Sequence, residues 1–300
     1  MQPADPRAAK RAHGHTISVC LPARNEASTI GAIVREIRDE LMAGDATDRF
    51  VDEIVVIDDG SNDATAAVAR EAGAHVVAES EVLPEAGPGS GKGNVLWKSL
   101  QVCHGDLLCW VDADLANFRA DTVTKLLTPL LADRDTLLVK AAYARSFEGA
   151  PTGGGRVTEL VARPLVSLLF PKLADIAQPL GGEYAARREA LEVLPFVEGW
   201  GVELGLLIDL VERFGRDAVA QVDLGTREHR NRPVEQLAAE SMSIIATALR
   251  RAGLMQFDGP TLELLRADVE GNVDAEPVEI RERPPIATLA AYRERHTSRS

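Results

Sequence analysis

Three cysteines in 300 residues, Cys20, Cys103 and Cys109, are too few and too irregularly spaced for a zinc-ligand set or a disulfide framework. Two of them sit inside apolar, strand-like runs, which reads as buried, reduced thiols. Long apolar runs are missing too. None approaches the ~20 residues of a bilayer span, and the start, MQPADPRAAKRAHGH, lacks the apolar stretch of a signal peptide, so a cytoplasmic chain without a membrane partner is expected. Basic residues are in deficit, 33 Lys and Arg against 46 Asp and Glu, for a net charge of −13. That balance argues against nucleic acid, whose phosphate backbone demands clustered cations. Small phosphorylated ligands stay possible, because a few local cations and backbone amides hold them whatever the overall charge.

Two phosphate-binding signatures are absent as well. The turn Leu21-Pro22-Ala23-Arg24-Asn25-Glu26, after the first strand-like run, has no glycine triplet, so a nicotinamide-type dinucleotide fingerprint is excluded there. The run Gly87-Pro88-Gly89-Ser90-Gly91-Lys92-Gly93 misses the P-loop spacing, which would need Gly at 86 and Ser or Thr at 93, where Ala86 and Gly93 stand.

What is present is a chain long enough, with 45% hydrophobic residues, for one large domain or one domain plus an appendage. Short apolar or β-branched runs at 16–21, 53–57, 74–78, 106–111 and 137–142 alternate with helical patterns at 28–41, 63–72, 92–102 and 121–131, the first two opened by Ser28 and by Asn62 or Asp63. This order predicts an α/β fold, a mostly parallel sheet with helices on both faces. The second half is less regular. Two Gly- and Pro-rich loops, 79–93 and 147–155, interrupt the alternation and are long enough to suggest function. Helical patterns resume at 157–169, 202–214 and 234–251, with a strand-like run at 218–224. Four parts follow: a flexible N-terminus (1–15), a regular first half (16–145), a less regular second half (146–256), and a partly mobile tail (257–300) with a short helix near 288–292.

Asp112-Ala113-Asp114 closes the apolar run 107–111, so two carboxylates emerge where a buried strand ends. Such a pair offers hard oxygen ligands for Mg²⁺ or Mn²⁺ in the crevice where open α/β sheets bind ligands. It also suits a plain solvated turn. Asp58-Asp59 after the second strand can accept from a base or ribose, or cap the next helix. Lys92 at the end of a Gly-rich loop can meet a phosphate beside a helix start, or be merely solvated. Gly153-Gly154-Gly155-Arg156-Val157-Thr158 can form a nest of amides with a guanidinium beside it and Thr158 capping the following helix, or serve as a glycine linker. Arg227-Glu228-His229-Arg230-Asn231-Arg232 packs cations with an imidazole that can complete the metal site, or be structural, as a lone histidine more often is. Glu203 sits at a helix start, which stabilises its charge.

Taken together, LPARNE, DDGSND, GKGNVLW, DAD, GGGRVTELVARPL, QPLGGEYAARRE, GWGVELGLLID and REHRNRP resemble the glucosyl-3-phosphoglycerate synthases, and are similar to the mannosyl-3-phosphoglycerate synthases. The resemblance runs from about residue 16 to 251 and implies a GT-A glycosyltransferase fold, a UDP-glucose donor, Mg²⁺ or Mn²⁺, 3-phosphoglycerate as acceptor, retention of configuration and a homodimer. It makes 16–145 the nucleotide-sugar-binding half and 146–256 the acceptor-binding half that completes the metal site. It further implies that Pro22, Ala23, Arg24, Glu26, Asp59, Lys92, Asp112 and Ala113 bind the donor, and that Asp112, Lys92 and Glu203 form the catalytic group. Asp114 and His229 ligate the metal, and Gly155, Arg156, Val157, Thr158, Arg227 and Asn231 seat the acceptor. Arg24, Asp59 and Trp200 depart from the commoner apolar residue, Ser and Tyr of the glucosyl enzymes, and keep GDP-mannose as the alternative donor. A nucleotidyltransferase and a binding module without turnover are the competing readings. The first fits poorly, because its Gly-rich Lys loop normally follows the first strand.

Overall fold

The computed structural model describes residues 5–45, 48–147, 150–153, 155–227 and 233–297. Strands β1 (Ile17–Ala23), β2 (Glu53–Asp58), β3 (His75–Ala78) and β4 (Leu107–Trp110) alternate with helices α2 (Ile30–Leu41), α3 (Thr65–Ala72) and α4 (Gly91–Val102), with α1 (Pro6–His13) ahead of them and α5 (Asp121–Ala132) after. Then come β5 (Leu138–Phe147), β6 (Ala150–Gly153), α6 (Arg163–Leu169), β7 (Tyr184–Arg187), α7 (Arg188–Leu191), β8 (Phe196–Val197), α8 (Val202–Phe214), β9 (Val219–Arg227) and α9 (Val234–Arg251). The chain closes with β10 (Thr261–Ala267), β11 (Val273–Glu279), β12 (Glu282–Arg283) and α10 (Ala290–Thr297).

The main sheet runs β3-β2-β1-β4-β7-β5-β6, with β9 on β5. β1 to β4 are parallel, and β9 runs parallel to β5. The predicted α/β class with a mostly parallel sheet therefore holds, with one difference at its centre. β7 inserts antiparallel between β4 and β5. Its four residues, YAAR, are wholly buried and too short and Ala-rich to show a strand period. Strands covered on both faces read as apolar runs, and each face carries its own core. Trp97, Trp110, Tyr184, Phe196 and Leu207 pack on the α4 and α8 side. Ile33, Val56, Leu126 and Val139 pack on the α2 and α5 side. Helix α2 shows why it faces that layer: Ile30, Ile33, Val34, Ile37 and Leu41, at helical spacing, are its buried stripe.

Both ends carry more regular structure than their sequence patterns show. Ahead of β1, Asp5 accepts from the Arg7 amide at 3.0 Å, and the buried Lys10 ammonium donates to Arg49 O at 2.8 Å and to Asp52 at 2.9 Å. The tail contains the β10–β11 hairpin, a short strand paired with β8, and α10. Charge-rich composition hid this, since the hairpin strands are largely exposed and their pairing needs no apolar run.

Candidate active site

The carboxyl ends of β1, β2 and β4 open into a cavity of about 560 Å³, within the usual range for small-molecule sites. Its wall includes Pro22, Ala23, Arg24, Glu26 and Asp59 from the first two strand ends, Lys92 from the start of α4, and Asp112, Ala113 and Asp114 after β4. The turns are tied to one another. Asn25, at φ +59°, donates its amide to Ser61 Oγ at 2.9 Å and its side-chain oxygen accepts from the Asn62 amide at 2.8 Å. Thr29 Oγ1 donates to Ala113 O at 2.6 Å, fixing the DAD turn against the entry to α2. The expected caps sit elsewhere: α2 starts after Thr29 and α3 after Ala64, while Asp63 accepts from the Thr65 and Ala27 amides.

At the centre, Lys92 Nζ lies 2.6 Å from Asp112 Oδ1 and 3.0 Å from Glu203 Oε1. Burial opposes the ammonium charge, but the two carboxylates outweigh it and hold Lys92 well above the ordinary lysine range. Glu203 is buried in the first turn of α8, where the helix dipole adds to the stabilisation of its charge. Gly182 makes the cluster possible. A methyl group there would come within 2.1 Å of Lys92 Nζ and 2.4 and 2.5 Å of the Asp112 carboxylate oxygens. Beneath it, the Tyr184 phenol is buried with no hydrogen-bond partner among the described residues, and burial raises it well above its usual range, Glu203 adding to the effect. The fully buried Lys140 covers the Tyr184 ring at 4.5 Å and donates to Gly181 O at 2.5 Å. Farther along, burial pushes the Asp59 carboxyl up, opposed by Arg24 at 3.7 Å and aided by Glu79 and Asp58.

Gly155, Arg156, Val157 and Thr158 also line the cavity. Thr158 does not cap a helix as expected. It is buried and opens a π-helical turn, Thr158–Ala162, a feature that often marks functional sites. Arg227 ends β9 with its backbone paired to Arg145. His229 and Asn231 lie outside the described residues, and among the described residues no group of three or more His, Cys, Asp and Glu is arranged to hold a metal. Asp112 and Asp114 supply hard oxygen atoms to the cavity lining. Sequence reasoning missed Gly91, Val95, Leu180, Leu237, Glu240 and Ile244 as lining residues. The last three lie on one face of α9, a pattern that resembles ordinary core packing.

Residues 18–193 match the model of the glycosyl transferase family 2. The chain is 47% identical over 290 residues to the glucosyl-3-phosphoglycerate synthase of Mycolicibacterium smegmatis, covering 95% of this chain and 93% of that protein. The chain belongs to the glucosyl-3-phosphoglycerate synthase family. The Petrotoga mobilis member is 43% identical over 290 residues, covering 93% of this chain and 88% of its own. The crystal structure of the Mycobacterium tuberculosis enzyme in complex with Mn²⁺, UDP-glucose and phosphoglyceric acid superposes with a TM-score of 0.84 at 43% identity, covering 96% and 95% of the two chains. The same enzyme with Mn²⁺, UDP and glucosyl-3-phosphoglycerate gives 0.83 at 43% identity, covering 96% of each. This agreement makes the sheet described above a GT-A fold.

Proposed function

We propose that the protein transfers glucose from UDP-glucose to the 2-hydroxyl of 3-phosphoglycerate, with release of UDP. The observation that carries this reading is the Lys92–Asp112–Glu203 cluster in a cavity that is also lined by Asp59, Asp114 and the Gly155–Arg156 segment. The family relatives that bear this activity match the chain over nearly its whole length. In this reading residues 16–145 hold the nucleotide sugar through Pro22, Ala23, Arg24, Glu26, Asp59 and Ala113. Residues 146–256 hold the acceptor through Gly155, Arg156, Val157 and Thr158, with Arg227 and Asn231 closing that end.

The carboxylates at the DAD turn fit a divalent cation, with Asp114 and His229 as its ligands. Bound Mg²⁺ or Mn²⁺ supplies neutralisation of the charge that builds on the departing diphosphate. Lys92 does the same from the protein side, its ammonium kept charged by the two carboxylates. Asp112 orients Lys92 and the donor, and Glu203 holds hydroxyls of the transferred sugar. Retention proceeds by attack on the face the diphosphate leaves, the leaving phosphate taking the acceptor proton. Two facts favour it over a carboxylate nucleophile. Glu203 is engaged with Lys92, and Glu183 is fully buried, outside the cavity lining.

The enzyme is a cytoplasmic homodimer in this account. No helix among the described residues is long and apolar enough to cross a membrane. Cys20, Cys103 and Cys109 are buried free thiols, as a reducing compartment allows. The β10–β11 hairpin exposes Leu265, Val269 and Val273, apolar side chains that a second copy would cover. Light scattering checks the dimer. Assay of UDP-glucose, GDP-mannose and other nucleotide sugars against 3-phosphoglycerate tests the reaction. UDP release with UDP-glucose is expected, and no release from any donor contradicts it. Replacing Asp114 with Ala should lower metal-dependent turnover by orders of magnitude with the circular dichroism spectrum unchanged, and full activity would refute its place at the metal.

A further inference from the structure

We infer that the C-terminal segment 279–283 clamps the Gly-rich loop before Lys92, and that Arg283 is a positioning residue for Lys92. The inference rests on the function proposed above for its kinetic part only. Arg283 is buried and has four partners on and around that loop. Its guanidinium donates to Ala86 O at 2.7 Å, Gly87 O at 3.2 Å and Asn94 Oδ1 at 3.0 Å, and pairs with the fully buried Glu198 at 2.7 Å. The other Glu198 oxygen accepts from the Ser90 amide at 3.1 Å. Arg281 adds a bond to Pro88 O at 2.9 Å. Backbone carbonyls and an amide of residues 86–90 are thus held by two arginines and the carboxylate that neutralises one of them, immediately before the helix start that carries Lys92.

The fit is tight on both sides. A methyl group on Gly89 would lie 2.1 Å from Arg283 Nη2, so the glycine leaves room for the guanidinium. Leu83, where the loop departs, is held at φ +49°, a left-handed conformation that a bulky residue keeps only when its surroundings over-determine it. The clamp is itself anchored. Glu282 and Arg283 pair with Val197 and Phe196, Trp97 donates to Pro284 O at 2.8 Å, and Glu282 pairs with Arg250 at 3.1 Å and with Arg251. Arg251 also holds Asp209 of α8, the helix whose first turn carries Glu203. One short segment therefore ties the Lys92 loop to the helix that presents its partner Glu203.

Hydrogen–deuterium exchange and initial-rate kinetics on full-length Arg283→Met, Arg283→Lys and Arg281→Ala test this. In Arg283→Met, exchange across residues 85–93 should quicken at least about tenfold while β1 to β4 stay protected, and kcat/KM for UDP-glucose should fall about ten- to a hundredfold, with the KM for 3-phosphoglycerate within about twofold. Arg283→Lys keeps the charge but not the fork, so it should leave the donor defect in place. Arg281→Ala removes one bond to the loop, with an exposed pairing to Glu279, and should raise the donor KM about threefold. Unchanged exchange, a full rescue by lysine, or a uniform loss that tracks the amount of folded protein would overturn the inference. Should Arg283→Met fail to fold, an unchanged donor KM in Arg281→Ala overturns it alone. An unsubstituted chain without turnover would defeat the proposed reaction, while the exchange measurement would still decide the clamp.

Discussion

The two glycine-rich segments that border the cavity, residues 87–93 and 153–158, look alike as sequence and are held in different ways. The first is fixed from afar: its carbonyls and amide meet Arg281, Arg283 and Glu198, and its helix start packs on Gly199. The second, described from residue 155 on, is held by its own turn and by a helix: Glu159 donates its amide to Gly155 O at 3.0 Å, and the buried Thr158 opens a π-helical turn that packs on α9. A cation that must sit at a reacting phosphate needs its position over-determined, because small misplacements cost rate steeply. A segment that seats a small acceptor needs only the right donors at a helix start.

The comparison breaks most visibly at Lys92. Lys92→Ala should lower kcat/KM for the donor roughly 10²- to 10³-fold with the fold intact, and a loss confined to the acceptor KM would invert the assignment. Burial lowers and the flanking carboxylates raise its pKa, with a net rise. Its pairing therefore stabilises fully below the ordinary lysine value of about 10.4 and is lost only as pH climbs through the higher folded value, so no alkaline limb of the rate profile up to about pH 9 should arise from it. Gly182→Ala comes next. Its methyl group would displace the Lys92–Asp112 pair, with an expected fall in kcat of roughly a hundredfold, measured by initial rates at saturating substrates.

Arg156→Ala probes the second segment and should raise the KM for 3-phosphoglycerate about ten- to a hundredfold, leaving the donor KM near its original value. The smallest effect is at Asp59, whose half-buried carboxyl is pushed above its usual range by desolvation. A raised folded pKa makes the carboxylate destabilising once pH exceeds the unfolded value of about 3.9, so Asp59→Asn should raise the thermal midpoint at pH 7 by a few degrees and lose that advantage below about pH 4. Its donor KM should rise as the stability gain appears.

The features legible in the sequence were those whose signals are local. The run 107–111 stops at Asp112 and Asp114 because a buried strand ends there, and the turns at 22–26 and 58–63 follow the same rule. Lys92, Glu203 and the 155–158 segment carried enough motif chemistry to be singled out, and all of them line the cavity. Features set by long-range pairing were hidden. β7 has no period to read, and the Leu237, Glu240 and Ile244 face of α9 looks like core until the cavity is seen. Arg283 sits in a charge-rich stretch, so nothing nearby announces that Glu198 and the loop carbonyls desolvate it.

The most direct test of a cavity divided between donor and acceptor is a matrix of both Michaelis constants for Arg281→Ala and Arg156→Ala, measured with UDP-glucose and 3-phosphoglycerate. The account expects a crossed pattern, the first variant shifting only the donor constant and the second only the acceptor constant. Both variants shifting the same constant, or both constants moving together in each, would contradict it.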